Sequence, residues 1–132
     1  MAAARRILVV DDNISATEAL ALILNCWGHA VRVCHDGPSG LDAATEFRPD
    51  VVILDIDLPG LDGHAVARRL RARPEHHAVV MIAMTGHDHA EDRDRSHAAG
   101  IDVHMVKPIN LNALETLLAD SPLDADRKAT EL

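Results

Sequence analysis

The sequence predicts an α/β fold: a doubly wound parallel sheet with helices on both faces. Five short apolar runs, rich in Val and Ile, alternate along the chain with five stretches of helical period. The runs lack the apolar–polar alternation of a strand with one wet face, so they read as strands buried on both sides. Five βα units in a row call for right-handed crossovers, which leave few topologies. The common small solution is the flavodoxin-like (βα)5 order 2-1-3-4-5.

The elements come in this order. Strands are expected at residues 7–10, 30–34, 51–54, 79–84 and 103–106. The first helix spans about 14–27, with Ala16, Leu20, Ile23 and Trp27 on one face, Ser15 and Glu18 at capping-box spacing, and Gly28 as its stop. The second starts at Gly37-Pro38, with proline in the first turn, and runs to Phe47. The third covers 63–71, with Val66 and Leu70 inward. The fourth covers 90–99, capped by Asp88 and ended by Gly100. The fifth runs from Asn110 to Ala119, with Ile109 and Leu114 as a hydrophobic staple. The fourth helix carries Glu91-Asp92-Arg93-Asp94-Arg95-Ser96-His97 and offers little apolar surface. It reads either as a weakly held element that can move or as a plain exposed helix.

The 132 residues suit one domain, 1–120, followed by a polar tail or linker, 121–132. No apolar run approaches the ~20 residues that span a bilayer, and the first is too short for a signal peptide. A cytoplasmic protein is expected. The net charge of −8 argues against direct nucleic-acid binding, which needs clustered Lys or Arg. The cluster Arg68-Arg69-Leu70-Arg71-Ala72-Arg73 reads as a solvated helix face. Cys26 and Cys34 lack zinc spacing and read as reduced core or near-core thiols.

In an open α/β sheet, ligands bind beyond the carboxyl ends of the strands, where the strand order reverses. The first strand ends in Asp11-Asp12, the third in Asp55 with Asp57 two residues on, the fourth in Thr85-Gly86 and the fifth in Lys107-Pro108. With strands one and three adjacent, three carboxylates crowd together and repel unless a cation neutralises them. A hard divalent ion such as Mg²⁺ suits a few carboxylates plus water and phosphate oxygens. A carboxylate can act as nucleophile and form an aspartyl phosphate. Lys107 supplies a positive charge and Thr85 a hydroxyl for the transferring oxygens.

These segments resemble the signature segments of response-regulator receiver domains: Val9-Val10-Asp11-Asp12-Asn13, the stretch from Ile53-Leu54-Asp55 to Asp62-Gly63, Met84-Thr85-Gly86 and Val106-Lys107-Pro108. The likeness covers about residues 5–119. It implies that Asp55 accepts a phosphoryl group from a phosphohistidine on a histidine kinase or a histidine phosphotransfer protein. Asp12 and Asp55 would bind Mg²⁺ (or Mn²⁺) directly, with the backbone carbonyl of Asp57, while Asp11 would act mainly through water. Lys107 would pair with the phosphoryl oxygens, across a cis bond to Pro108. Thr85 would report the phosphate, moving together with the ring at His104, where relatives often carry Tyr or Phe. The face of helix four, strand five and helix five would meet partners or form a phosphorylation-dependent homodimer. Such a protein catalyses only its own phosphorylation and dephosphorylation and is not otherwise an enzyme.

His104 brings a titratable ring to the switch position, which suggests a pH-dependent switch. Asp57 and His87, flanking the same opening, are expected to tune the lifetime of the phosphorylated state. His76-His77 and His87-x-His89 lack a clear third metal ligand. Trp27 is expected to pack rather than to report Mg²⁺ binding. Two alternatives remain. Leu54-Asp55-Ile56-Asp57 also resembles the nucleophile motif of haloacid-dehalogenase-type phosphatases, although here the acid pair precedes the nucleophile. A receiver-like interaction module without phosphoryl chemistry is the other.

Overall fold

The computed structural model describes residues 4–86 and 90–119. Five strands, β1 (Arg6–Val10), β2 (Ala30–Cys34), β3 (Val51–Asp55), β4 (Val80–Thr85) and β5 (Val103–Val106), form one parallel sheet. Its order is β2-β1-β3-β4-β5, as the sequence predicts. The helices are α1 (Ile14–Cys26), α2 (Gly37–Phe47), α3 (Gly63–Arg71), α4 (Ala90–Ala98) and α5 (Leu111–Ala119). A short 3₁₀ turn at Pro74–His76 was not expected.

Successive strand residues face opposite sides, and both sides are dry. Leu8, Val10, Val52, Leu54, Met81 and Ala83 pack with α2 and α3 through Leu41, Ala44, Val66 and Leu70. Ile7, Val9, Val51, Ile53, Ile82 and Met84 pack with α1 and α5 through Leu20, Leu24, Leu114 and Leu118. This is why the strands read as continuous apolar runs.

Short polar side chains start four of the helices, each accepting a first-turn amide. Asn13 takes the Ala16 N–H, Asp36 that of Ser39, Asp62 that of Ala65 and Asn110 that of Ala113, all at 2.8–3.0 Å. Asn13, not a Ser15–Glu18 box, therefore caps α1, because its amide oxygen satisfies the orphan donor first. The buried face of α1 differs from the predicted one: Thr17, Leu20 and Leu24 are buried, Ala16 is exposed, and Ile23 and Trp27 are half-buried. Trp27 packs against the α1–α5 core. Gly28 and Gly100, with φ of 97° and 93°, end α1 and α4 in the left-handed conformation that glycine adopts without strain. The proposed Asp88 cap and residues 121–132 lie outside the described residues.

Two polar expectations change. Cys26 is exposed rather than near the core. The arginine cluster is not merely solvated. Arg71 donates to the Gly100 and Val79 carbonyls at 2.7–2.8 Å and pairs with Asp102 at 3.0 Å. It ties the end of α3 to the turns before β4 and β5. Among the described residues, no helix is long and apolar enough to cross a membrane.

Candidate functional site

The register Val10↔Leu54 sets the ends of β1 and β3 level, so Asp11 and Asp55 emerge side by side. β4 delivers Thr85 one strand further, and Thr85↔Val106 places the β5 end, and with it Lys107, opposite. Four strand ends thus converge. Asp11, Asp55 and Thr85 are buried, while Asp12 and Asp57 are exposed. One carboxylate oxygen from each of Asp11, Asp12 and Asp55 lies within 4.8 Å of the others.

Each buried acid is held by more than one group. Asp11 accepts the Asn13 N–H at 3.0 Å, and Asp55 accepts the Asp57 N–H at 3.0 Å. The Lys107 ammonium stands 3.3 Å from Asp11 Oδ2 and 3.4 Å from Asp55 Oδ2. The Lys107 N–H donates to the Thr85 carbonyl at 2.7 Å, and the Lys107–Pro108 bond is cis. Burial pushes the Asp55 carboxyl above the usual carboxylate range. The Asp57 amide and the Lys107 charge oppose that shift, and the Asp11 charge adds to it. Burial also pulls the Lys107 ammonium down, but the Asp55 and Asp11 charges outweigh it and raise the group. One lysine thus serves two buried carboxylates with a third beside them. The deficit of positive charge and the all-oxygen donor set fit a hard divalent cation.

The remaining expected site residues are His104 and His87. His104 lies half-buried on β5, opposite Ala83. Its neighbours Val103 and Met105 pack toward α1 and α5, so His104 takes the other face, the one Ala83 shares. Thr85 has the same parity on β4 as Ala83, which places it on the His104 side. His87 lies outside the described residues.

Sequence reasoning missed two supports. His35, just after β2, brings Nδ1 to 3.0 Å from the Asp11 carbonyl, while the Asp11 N–H reaches the Cys34 carbonyl at 3.0 Å. The strand-end rule that points to the acids also points to residue 35, the first residue after β2. Gly63 is the other. A Cβ there would stand 2.7 Å from Ile56 Cα and closer still to the Asp55 carbonyl oxygen. Only glycine lets α3 start so near the Asp55 backbone. Beside the acids, a mostly apolar groove of about 310 Å³ runs between Asn13, Leu20, Met84, Pro108 and Leu111.

A parallel α/β sheet with an acid pocket and a lysine at its carboxyl edge defines a phosphoryl-switch type of site. Comparison with known proteins agrees. The model of the response regulator receiver domain matches residues 7–119. Response regulator MprA of Mycobacterium avium (strain 104) is 39% identical over 114 residues, covering 86% of this chain and 48% of that protein. MprA of Mycobacterium tuberculosis (strain ATCC 25618 / H37Rv) is also 39% identical, with 86% and 47% covered. The chain spans about half the length of the curated relatives it matches. Among solved structures, chemotaxis protein CheY4 of Vibrio cholerae superposes with a TM-score of 0.82 at 28% identity, covering 87% of this chain and 97% of that one. The receiver domain of sensor histidine kinase PA1611 of Pseudomonas aeruginosa PAO1, with a magnesium ion coordinated in its active-site cleft, gives 0.77 at 28% identity, covering 89% and 98%. The chain belongs to the response-regulator receiver domain family. The phosphatase alternative finds no support in these likenesses.

Proposed function

We propose that this receiver domain accepts a phosphoryl group on the Asp55 carboxylate, donated by a phosphohistidine of a histidine kinase or a histidine phosphotransfer protein. One observation carries the reading: Lys107 lies within 3.4 Å of both buried carboxylates, at the one pole where Thr85 also ends its strand. An Asp55 oxygen attacks phosphorus, a P–O bond forms, the P–N bond to the donor imidazole breaks, and the imidazole leaves with the electron pair. Lys107 then meets the new oxygens and the Thr85 hydroxyl lies beside them. Asp12, Asp55 and the Asp57 carbonyl would hold Mg²⁺ or Mn²⁺, with Asp11 acting through water. That ion supplies charge neutralisation for the phosphoryl oxygens.

Thr85 and His104 share a side of the sheet, which supports a readout through the face of α4, β5 and α5, toward a partner or a second copy. The groove beside Lys107, with Ile14 and Leu111 exposed near it, supports seating of the phosphodonor protein. The same reading has the domain cytoplasmic, without direct nucleic-acid contacts, and catalysing only its own modification.

Intact-protein mass spectrometry after incubation with acetyl phosphate tests the proposal. A single labile adduct that requires Mg²⁺ and disappears in Asp55→Asn is the expected result. A pocket that binds neither phosphoryl donors nor beryllofluoride would mean an interaction module without the chemistry.

A further inference from the structure

α4 is unusual in how it is held. The largest apolar side chain in Ala90–Ala98 is alanine. Of residues 91–98, Ser96 alone is buried, at 1% exposure. Its hydroxyl meets His64 Nε2 of α3 at 2.9 Å, and His64 is itself only 6% exposed. A buried polar contact stands where helices ordinarily place apolar ridges. Around it lies a cleft of about 270 Å³, lined by Asp62, His64, Arg68, Arg95, Ala98 and Ala99. α4 therefore has little apolar packing to keep it in place once that contact fails.

We propose that His64 and Ser96 form a proton-sensitive latch, which docks α4 on α3 while the imidazole is neutral and releases it when the imidazole is protonated. Protonation costs the docked state in either tautomer, because it buries a cation. If Nε2 accepts from the Ser96 hydroxyl, the added proton removes that acceptor and the hydroxyl must turn round to accept instead. If Nε2 donates, the ring becomes a buried cation whose contact partner is a neutral hydroxyl. The charged neighbours do not rescue it. Arg95 from α4 and Arg68 from α3 repel a cation at this point, while Asp62, before α3, and Asp92 of α4 attract it. Burial and Arg95 lead the balance, which favours the neutral ring. The latch needs no phosphoryl group. It acts on α4 directly and so biases the face on which the phosphorylated state would be read.

Amide hydrogen exchange on the full chain, corrected for intrinsic pH dependence and referenced to α1, tests the latch in wild type, His64→Leu and Ser96→Ala. In wild type, α4 protection falls on going from about pH 7.5 to 5, by at most about tenfold per pH unit between the released imidazole's value, about 6.5, and the lower docked one. In His64→Leu it stays flat, and in Ser96→Ala it is already reduced at the upper pH. His97, exposed on α4, is present in every variant and cancels from the comparison. A flat wild-type profile, or the same fall in His64→Leu, overturns the proposal. Should His64→Leu fold poorly, the His64 ring titration followed by NMR in wild type replaces it. A midpoint matching the loss of α4 protection supports the latch, and a midpoint apart from it overturns it. Neither measurement involves Asp55 chemistry, so failure here leaves the proposed function standing.

Discussion

Gly63 presses its Cα against the backbone of Asp55 and Ile56, leaving no room for a side chain. Its N–H also donates to the Ile56 carbonyl at 3.1 Å. The first turn of α3 thus fixes the Asp55–Ile56 peptide. Gly63→Ala should destabilise the domain by about 1–3 kcal/mol, the usual cost of overpacking against rigid atoms. It should also slow adduct formation from acetyl phosphate. A urea titration at unchanged slope, with the adduct rate beside it, checks both. An unaltered midpoint would show that α3 can retreat at no cost.

On the opposite face of the sheet, Leu24 is fully buried against β1 and β3 through the α1–α5 core. Leu24→Ala should cost about 2–5 kcal/mol, transfer plus cavity. The folded fraction should still take up the phosphoryl group at the wild-type rate, because Leu24 sits in the α1–α5 core and not at the strand ends that carry the acids. Chemical denaturation and the mass-spectrometric assay separate the two.

The strands that Leu24 packs against are the readable part of the sequence. The strand runs were legible to within a residue, because burial on both faces leaves an uninterrupted apolar string. The pocket was legible because strand ends are where such sheets place chemistry, so Asp11, Asp12, Asp55, Thr85 and Lys107 stand out as the polar residues at or just beyond four of the strand ends. The inward face of α1 was only partly legible. The sequence pattern favours Ala16 and Ile23 for that face, whereas Thr17 and Leu24 are the buried residues. Long-range polar pairs were not legible at all. His64 meets Ser96 across 32 positions, and the Arg5 N–H meets His29 Nδ1 across 24. Neither residue type advertises such a partner in a one-dimensional pattern.

His29, His64 and His76 are all buried, and burial lowers each imidazole below its ordinary value, with Arg5 adding to the effect at His29. The unfolded chain therefore binds protons more readily than the folded one. The stability these groups contribute is complete above about pH 6.5, the unfolded value, and is lost as pH falls through the folded values. The urea midpoint should accordingly drop between pH 7.5 and about 5.5. In a His29→Gln/His76→Gln double variant the drop should be shallower, and an equally steep drop would remove these rings from the account.

Asp55 works in the other direction. Its carboxyl is raised, chiefly by burial, so the folded state holds the proton more tightly than the unfolded one. Without a divalent ion, Asp55 lowers stability as pH rises from the unfolded value, near 3.9, through the folded one, and the deficit is complete above the folded value. Asp55→Asn should therefore raise the urea midpoint in EDTA at pH 7, although it abolishes the adduct. Added Mg²⁺ should narrow the gap, since the ion stabilises the wild type more. A variant less stable than wild type in EDTA would mean that Lys107 and the Asp57 amide already overcompensate the buried charge.

Lys107 gives the sharpest separation between a structural and a chemical role. Its ammonium stands close to Asp11 and Asp55 and partly occupies, in electrostatic terms, the place a divalent ion would take. Lys107→Met keeps the aliphatic stem and removes the charge. Three carboxylates would then face an incoming cation with no competitor, so Mg²⁺ affinity should rise, by about tenfold, the scale of one charge contact worth ~1.4 kcal/mol. Phosphoryl uptake should fall over the same comparison, because the oxygens arriving beside Asp55 lose a counter-charge that Mg²⁺ alone does not replace. Calorimetric titration with Mg²⁺ reads the first effect, and the acetyl phosphate adduct reads the second. If Lys107 merely braced the end of β5, its loss would loosen the pocket and weaken both together. Opposite signs in the two measurements are what its position between two buried acids demands.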